Sequence, residues 1–289
     1  MQFSILIPVY NVHVKTLVES LLEQAKASKL EFEILCIDDC SELSISYINQ
    51  KLNLLDQVNY KVLASNIGRA AIRNLLFKEA KYEHCIILDC DLAIENPKFI
   101  QNYLEAFQDN AILVGGHYYN KEAPQNEKEF LHWLYGSSIE ARSLSKRKQA
   151  PYHSFMSSNF ACTKTDFDRV RFNESLVDYG HEDSIFAIDA KQKGLQIVHI
   201  DNPVLHLGLD EQDVFLAKQK KAITNLKALL NDPRYASLLG DYSKLIKWSK
   251  KNFIYQLIKL FESSIYKNLH SKKPRLLALQ LQKLIWLKN

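Results

Sequence analysis

At 289 residues the chain is long enough for one large α/β domain with an appendage, and its apolar share of 47% is ordinary for a soluble globular protein. Five cysteines, an odd number without a Cys-x-x-Cys, argue against a disulfide framework and against a zinc site, and fit a reducing cytoplasm. The net charge of +4 hides a polarity: from Lys244 onward eleven basic residues stand against Glu262 alone, so the remainder is acidic.

The N-terminus enters a strand at once, with no sign of a signal peptide, and no apolar run is long enough to span a bilayer. Phe3 to Val9 reads as a buried first strand, with Pro8 near its end, where a missing N–H is tolerated. Val14 to Ala27 has helical spacing, and Phe32 to Ile37 is a second buried strand that stops at Asp38 and Asp39. A helix over Ser44 to Leu55 and a third strand over Val58 to Ala64 follow, then a turn at Asn66-Ile67-Gly68 and a helix from Arg69 to Ala80. The next strand, Cys85 to Leu88, ends in Asp89-Cys90-Asp91. Asn96-Pro97 opens a helix to about Phe107, and Ala111 to Gly115 is a further strand. Strand and helix alternate at short spacing, which implies a mostly parallel sheet covered on both faces.

The second half is less regular. Glu127 to Leu144 has a helical pattern, Ser145 to Pro151 reads as a flexible basic stretch, and Phe155 to Thr163 as a strand interrupted by Ser157, Ser158 and Asn159. Glu182-Asp183 leads into a helix closed by Gly194; Leu195 to Ile200 is a strand, followed by a turn and short strand around His206. From Glu211 the pattern is helical. We expect a domain over residues 1–210, with a nucleotide-binding half to about 115 and an acceptor-side half over 116–210, and a basic helical extension over 211–289.

The Asp89-x-Asp91 pair suggests chemistry. In an extended segment residues i and i+2 face the same way, carboxylates suit hard cations, and ligands of open α/β sheets lie beyond the carboxyl ends of the strands. Alone, a motif this short more often marks a strand end followed by a solvated acidic turn. No Gly-x-Gly-x-x-Gly occurs, so an ordinary dinucleotide-binding turn is not expected.

Taken together, Ser4-Ile5-Leu6-Ile7-Pro8-Val9-Tyr10-Asn11, Ile37-Asp38-Asp39-Cys40-Ser41, Asn66-Ile67-Gly68 through Arg73-Asn74, Asp89-Cys90-Asp91 and Glu182-Asp183 resemble, in order and approximate spacing, the family 2 glycosyltransferases. The resemblance covers about residues 1–210 and implies a GT-A fold and inverting sugar transfer from a nucleotide-sugar donor. It implies Asp91 as a ligand of Mn²⁺ or Mg²⁺, Asp89 as a contact to the ribose or to the metal through water, and Asp39 as the acid on the uracil ring. Pro8 and Tyr10 match the wall of the base pocket, and Asn66 and Arg73 the donor side. Asp183 matches the general base, with Glu182 positioning the acceptor. His206 is either a third metal ligand or a satisfied core histidine. Asp38 and Asp39 could instead cap the following helix.

The chain departs from the family where Ile188-Asp189 stands in place of an arginine, and it lacks the Gln-x-x-Arg-Trp signature of processive members. That favours single-sugar transfer to a glycan or lipid-linked acceptor of a bacterial surface polysaccharide. Two rivals remain, a nucleotidyltransferase on a similar scaffold and a non-catalytic sugar-nucleotide or glycan-binding module. In the tail, Phe253, Ile254, Leu257, Ile258, Phe261 and Ile265 form one helical stripe, and Leu276, Leu277, Leu281, Leu284, Ile285 and Leu287 another. Basic amphipathic helices suit an anionic membrane surface, so the enzyme is expected in the cytoplasm or peripheral to the inner membrane face; packing of the stripes within the protein is the alternative. No nucleic-acid recognition motif accompanies the basic residues.

Overall fold

The computed structural model describes residues 1–175, 180–229, 232–235, 247–248 and 251–288, so Lys244, where the basic tail begins, lies outside the described residues. The chain divides into two compact units. The first holds Met1–Tyr118, Arg142–Ser175 and Asp183–Gly208; the second holds Tyr119–Ala141 with the described parts of 176–182 and 209–289. The division is discontinuous in sequence, because residues 119–141 group with the C-terminal helices.

The first unit contains ten strands: β1 Gln2–Val9, β2 Glu31–Asp38, β3 Val58–Val62, β4 His84–Leu88, β5 Leu92–Ala93, β6 Ala111–Val114, β7 His117–Tyr118, β8 Asn159–Thr163, β9 Gln196–His199 and β10 Val204–His206. Seven form one sheet in the order β3-β2-β1-β4-β8-β6-β9, parallel except that β8 runs against both β4 and β6. A second sheet has the order β5-β10-β7. The fold is α/β, with a mostly parallel sheet and helices on both faces, as the alternation of elements implies.

The strands are apolar on both sides because both faces are covered. Phe3, Ile5, Ile7 and Val9 join Leu17, Val18 and Leu21 of the helix Lys15–Ala27 and Phe99 and Tyr103 of the helix Phe99–Ala106 on one face. Leu6, Leu35 and Ile87 meet Ile72, Leu76 and Phe77 of the helix Arg69–Glu79 on the other. That face carries a phenylalanine cluster: the Phe77 and Phe167 rings stack at 3.6 Å, and Phe155, Phe160, Phe172 and Phe186 surround them. Phe186 belongs to the helix Glu182–Gln192, so the cluster seats that helix on the sheet.

Several elements differ from expectation for local reasons. The helix after Asn96-Pro97 begins only at Phe99, because the Asn96 side chain accepts from Lys98 N at 3.0 Å and makes a turn first. Residues 145–149 are not a loose basic loop but part of the helix Leu144–Gln149, capped by Ser143. Arg147 of that helix is buried and donates to the carbonyls of Val114 (3.0 Å), Gly115 (2.9 Å) and Ile200 (3.1 Å), with His199 Nδ1 at 3.0 Å. It thereby ties together the carbonyls at the ends of β6 and β9, Val114 O also accepting from Ile200 N. A Cβ at Gly116, whose φ is +83°, would lie 2.7 Å from the guanidinium carbon, so glycine is required there. Arg147→Met is expected to lower unfolding stability by about 3 kcal/mol, since several buried acceptors lose their donor at once; denaturant titration measures this.

The second unit is helical among its described residues: Phe130–Tyr135 running into a π-helical turn Gly136–Glu140, then Gln212–Leu229, Asn252–Leu260, Glu262–Leu269 and Leu276–Lys288. Leu131, Phe215, Ile265, Leu269, Leu279 and Ile285 form one core cluster, and Ile223, Leu226, Leu284 and Leu287 another. The second tail stripe is therefore largely interior to this unit, with Leu277 left outside.

Lys283 is buried beside the Tyr135 ring, its ammonium 4.7 Å from the centroid, and burial pulls its pKa from 10.5 down to about 8. Between those values the unfolded chain holds a proton that the folded chain has released. Stability is therefore expected to rise with pH across about 8 to 10.5, and not to change from this group below it. Lys283→Met should flatten that rise and stabilise the protein at neutral pH, measured by denaturation at the two ends of the window.

Candidate active site

The carboxyl ends of β1, β2 and β4 lie side by side because the strands are parallel neighbours. Pro8 sits half-buried near the end of β1, paired in register with Ile37, and Tyr10 beyond it is half exposed. The loops after β1 and β2 are tied together. Asn11 N donates to Ser41 Oγ at 2.7 Å, and Glu42 N donates to the Asn11 side chain at 2.9 Å. Asp38 is fully buried and structural, accepting from Ser41 N at 2.7 Å and from the Tyr60 hydroxyl. Asp39 turns instead to the 66–68 turn: one carboxylate oxygen accepts from Ile67 N (2.7 Å) and the other from Gly68 N (3.0 Å), while Asn66 donates to the Asp39 carbonyl at 3.1 Å. Neither acid caps the helix Leu43–Asn49, whose first position has no side-chain cap.

The two acids after β4 have different partners. Asp89 Oδ1 meets Arg73 Nη2 at 2.5 Å, and Arg69 lies 4.0 Å from the other oxygen. Arg73 is almost completely buried, held over the Phe172 ring and donating to the Arg69 carbonyl, so the aromatic cluster fixes the ion pair. Asp91 is more open, and its Oδ2 lies 3.8 Å from His206 Nε2, beyond hydrogen-bond range. The approach is set by backbone, since β5 pairs with β10 in antiparallel register, His206 against Leu92, and Leu207 N donates to the Asp91 carbonyl.

Asp91 and His206 fit a divalent cation. Carboxylate oxygen and imidazole nitrogen are both Mn²⁺ ligands, and their separation is within reach of one ion bonded at about 2.1 Å to each. A Cβ at Gly208 would stand 2.1 Å from Asp91 Oδ2 and displace that carboxylate. Among the described residues no group of three or more His, Cys, Asp or Glu side chains could hold a metal alone. Mg²⁺-type sites with one or two protein ligands draw the rest from substrate phosphates and water.

Asp183 lies in the first turn of the helix Glu182–Gln192, where negative charge is favoured, and its Oδ2 accepts from Ser157 N at 3.2 Å. The neighbouring Ser158 carbonyl accepts from Asp89 N at 3.0 Å, and Ser158 Oγ meets His117 Nδ1 at 3.3 Å. The three polar residues that interrupt the predicted strand are thus the cross-links of the site. Ser157 holds Asp183 and Ser158 holds the Asp89 backbone, while Asn159 donates to the Gly116 and Asn202 carbonyls. Glu182 turns the other way, accepting from Gly180 N at 2.9 Å.

His117 was not singled out by the sequence. Its ring lies 5.7 Å from that of His206, and burial, with His206 alongside, pushes its pKa down to about 3, so it is neutral at physiological pH. A histidine after two glycines in a two-residue strand leaves no periodic signal. Arg147 was missed likewise, inside an apparently solvated basic run.

A family model described as glycosyl transferase family 2 matches residues 4–171. Chondroitin synthase from Escherichia coli is 34% identical over 133 residues, covering 44% of this chain and 19% of that protein. The chain spans less than half the length of the curated relatives it matches. In fold it is similar to the mannosyltransferase PcManGT from Pyrobaculum calidifontis, solved in complex with GDP-Man and Mn²⁺ (TM-score 0.60, 13% identity, 99% of this chain and 85% of that one). It is also similar to S. aureus TarS 1-349 in complex with UDP (TM-score 0.54, 19% identity, 100% and 89%).

Proposed function

Because the chain belongs to glycosyl transferase family 2, we propose that it moves one sugar from a nucleotide-sugar donor, in our reading a UDP-sugar, to a hydroxyl of a glycan or lipid-linked acceptor. We take the transfer to be hexosyl or N-acetylhexosaminyl, to invert the anomeric centre, and to serve bacterial surface polysaccharide synthesis in the cytoplasm. The five free thiols suit a reducing compartment. The observation that carries the reading is one line of contacts along a sheet edge, from Asp183 through Ser157 and Ser158 to Asp89 and Arg73, with Asp91 and His206 beside its end.

In this reading the end of β2 takes the base and the end of β4 the diphosphate. Two strand spacings, about 10 Å, lie between them, a suitable span for a nucleoside diphosphate. Asp39 accepts the uracil N–H, flanked by Pro8, Tyr10 and Asn66. Asp89 accepts from the ribose hydroxyls, held in place by Arg73. Asp91 and His206 would hold a divalent cation, which when bound offsets negative charge on the departing diphosphate. Asp183 takes the proton from the attacking hydroxyl, and Glu182 orients the acceptor.

Support from relatives is that similar folds were solved with UDP and with GDP-Man and Mn²⁺. Titrating UDP and GDP with and without Mn²⁺, then screening sugar nucleotides for thermal stabilisation, tests the donor. Anomeric analysis of the first product tests inversion. Nucleotide binding without transfer to any hydroxyl acceptor would favour a binding module, and a nucleotidyl product would overturn sugar transfer altogether.

A further inference from the structure

His117 is a polar side chain in a place where an apolar one would bury at less cost. It is 7% exposed and belongs to the two-residue strand β7. Its ring lies 5.7 Å from that of His206, tilted by 57°, a separation typical of packed rings. The backbone before it is held from two sides, since the Gly116 carbonyl accepts from Asn159 Nδ2 at 2.8 Å and from Val204 N at 3.2 Å.

Register puts both histidines on one face of the small sheet. β7 and β10 are parallel neighbours, with His117 opposite Val204. Val204 and His206 are two apart in β10, so their side chains share a face, and His117 across from Val204 shares it too. The two rings therefore meet on a diagonal between adjacent strands.

The other side of the His117 ring is pinned. Nδ1 lies 3.3 Å from Ser158 Oγ, which sets how the ring is turned. The Ser158 carbonyl accepts from Asp89 N, and Ser157 N donates to Asp183. Two adjacent residues ahead of β8 thus reach Asp183, Asp89 and, through His117, His206. A metal-binding imidazole keeps its nitrogen on target only when neighbours set the plane of its ring.

We propose that His117 is a positioning residue: it carries the placement of residues 157 and 158 to the His206 ring, so that a cation held by Asp91 and His206 stands in fixed relation to Asp89 and Asp183. The inference rests on the reading of Asp91 and His206 as cation ligands. His117 is not a ligand in this account; it acts through His206.

The test is Mn²⁺ titration of the full chain at saturating UDP, read from the electron paramagnetic resonance signal of free Mn²⁺, beside UDP titration without metal. His117→Ala is expected to weaken Mn²⁺ binding by about ten-fold or more while UDP affinity without metal stays that of the parent. Ser158→Ala removes only the hydroxyl and leaves the backbone bond to Asp89 in place. It is expected to shift Mn²⁺ affinity in the same direction by a smaller factor, and it carries the test should His117→Ala fail to fold. His206→Ala separates this inference from the reading beneath it. If His206→Ala loses Mn²⁺ while Ser158→Ala and any folded His117→Ala bind it as the parent does, the cation site stands and the role of His117 falls. If the parent itself takes up no Mn²⁺ with UDP, both fall. A His117→Ala chain that loses metal-free UDP affinity as steeply as Mn²⁺ affinity is loosened as a whole, and that result also overturns the proposal.

Discussion

Asp183→Asn is expected to lower kcat by about three orders of magnitude while leaving the affinity for UDP unchanged. The asparagine keeps the shape and can still accept from Ser157 N through its carbonyl oxygen, so the start of the helix Glu182–Gln192 should not move. What disappears is a group able to take a proton from the acceptor hydroxyl. A loss confined to the chemical step is the signature, because the proposed nucleotide contacts are at the ends of the neighbouring strands β1, β2 and β4 and not at Asp183. Single-turnover kinetics with saturating donor and isothermal titration of UDP make the separation. Retained turnover would remove Asp183 as the base, and weakened UDP binding would mean that the residue organises the donor side instead.

The layered sheet was legible because its strands are short apolar runs that stop abruptly at Asp38, Asp89 and Gly115, the first two followed by helical spacing. Such runs record burial on both faces, a property of the whole layer that every strand carries locally. The acid positions were legible for the same reason, as polar residues at strand ends. Less visible was what each acid touches. Asp38 and Asp39 are adjacent, yet one faces the Tyr60 hydroxyl and the other the backbone of residues 67 and 68, a divergence that follows from strand alternation but whose partners lie more than twenty residues away.

Residues 145–149 mark the opposite failure. A lysine- and arginine-rich stretch resembles a solvated loop in composition, and only the converging carbonyls of Val114, Gly115 and Ile200 explain why one arginine in it is buried. Serines 157 and 158 looked like faults in a strand and instead bring Asp183 and the Asp89 backbone to one place. Long-range hydrogen bonds of this kind have no periodicity, so single-sequence reasoning has nothing to detect. The discontinuous helical unit escaped for a related reason, since the Phe130–Tyr135 helix finds its apolar partners in Phe215 and Leu279, far along the chain.

Asp91→Asn and Asp89→Asn, one residue apart, are expected to fail in different ways. Asp91 is partly open and faces His206 across 3.8 Å. Its conversion to asparagine should leave the melting temperature nearly unchanged, abolish the dependence of UDP affinity on Mn²⁺, and cut turnover by about a thousand-fold. Asp89 is the carboxylate of a buried pair, and Arg73 is 2% exposed. Removing its charge strands a guanidinium in the interior, so Asp89→Asn should cost about 3 kcal/mol of folding stability. Denaturant titration beside UDP titration with and without Mn²⁺ distinguishes the two. If both variants lose stability equally and neither changes the metal dependence, Asp91 is a structural acid and His206 its structural neighbour. If Asp91→Asn alone uncouples Mn²⁺ from nucleotide while Asp89→Asn alone softens the fold, the Arg73-held carboxylate anchors the floor of the site beneath the ribose and the other faces the cation.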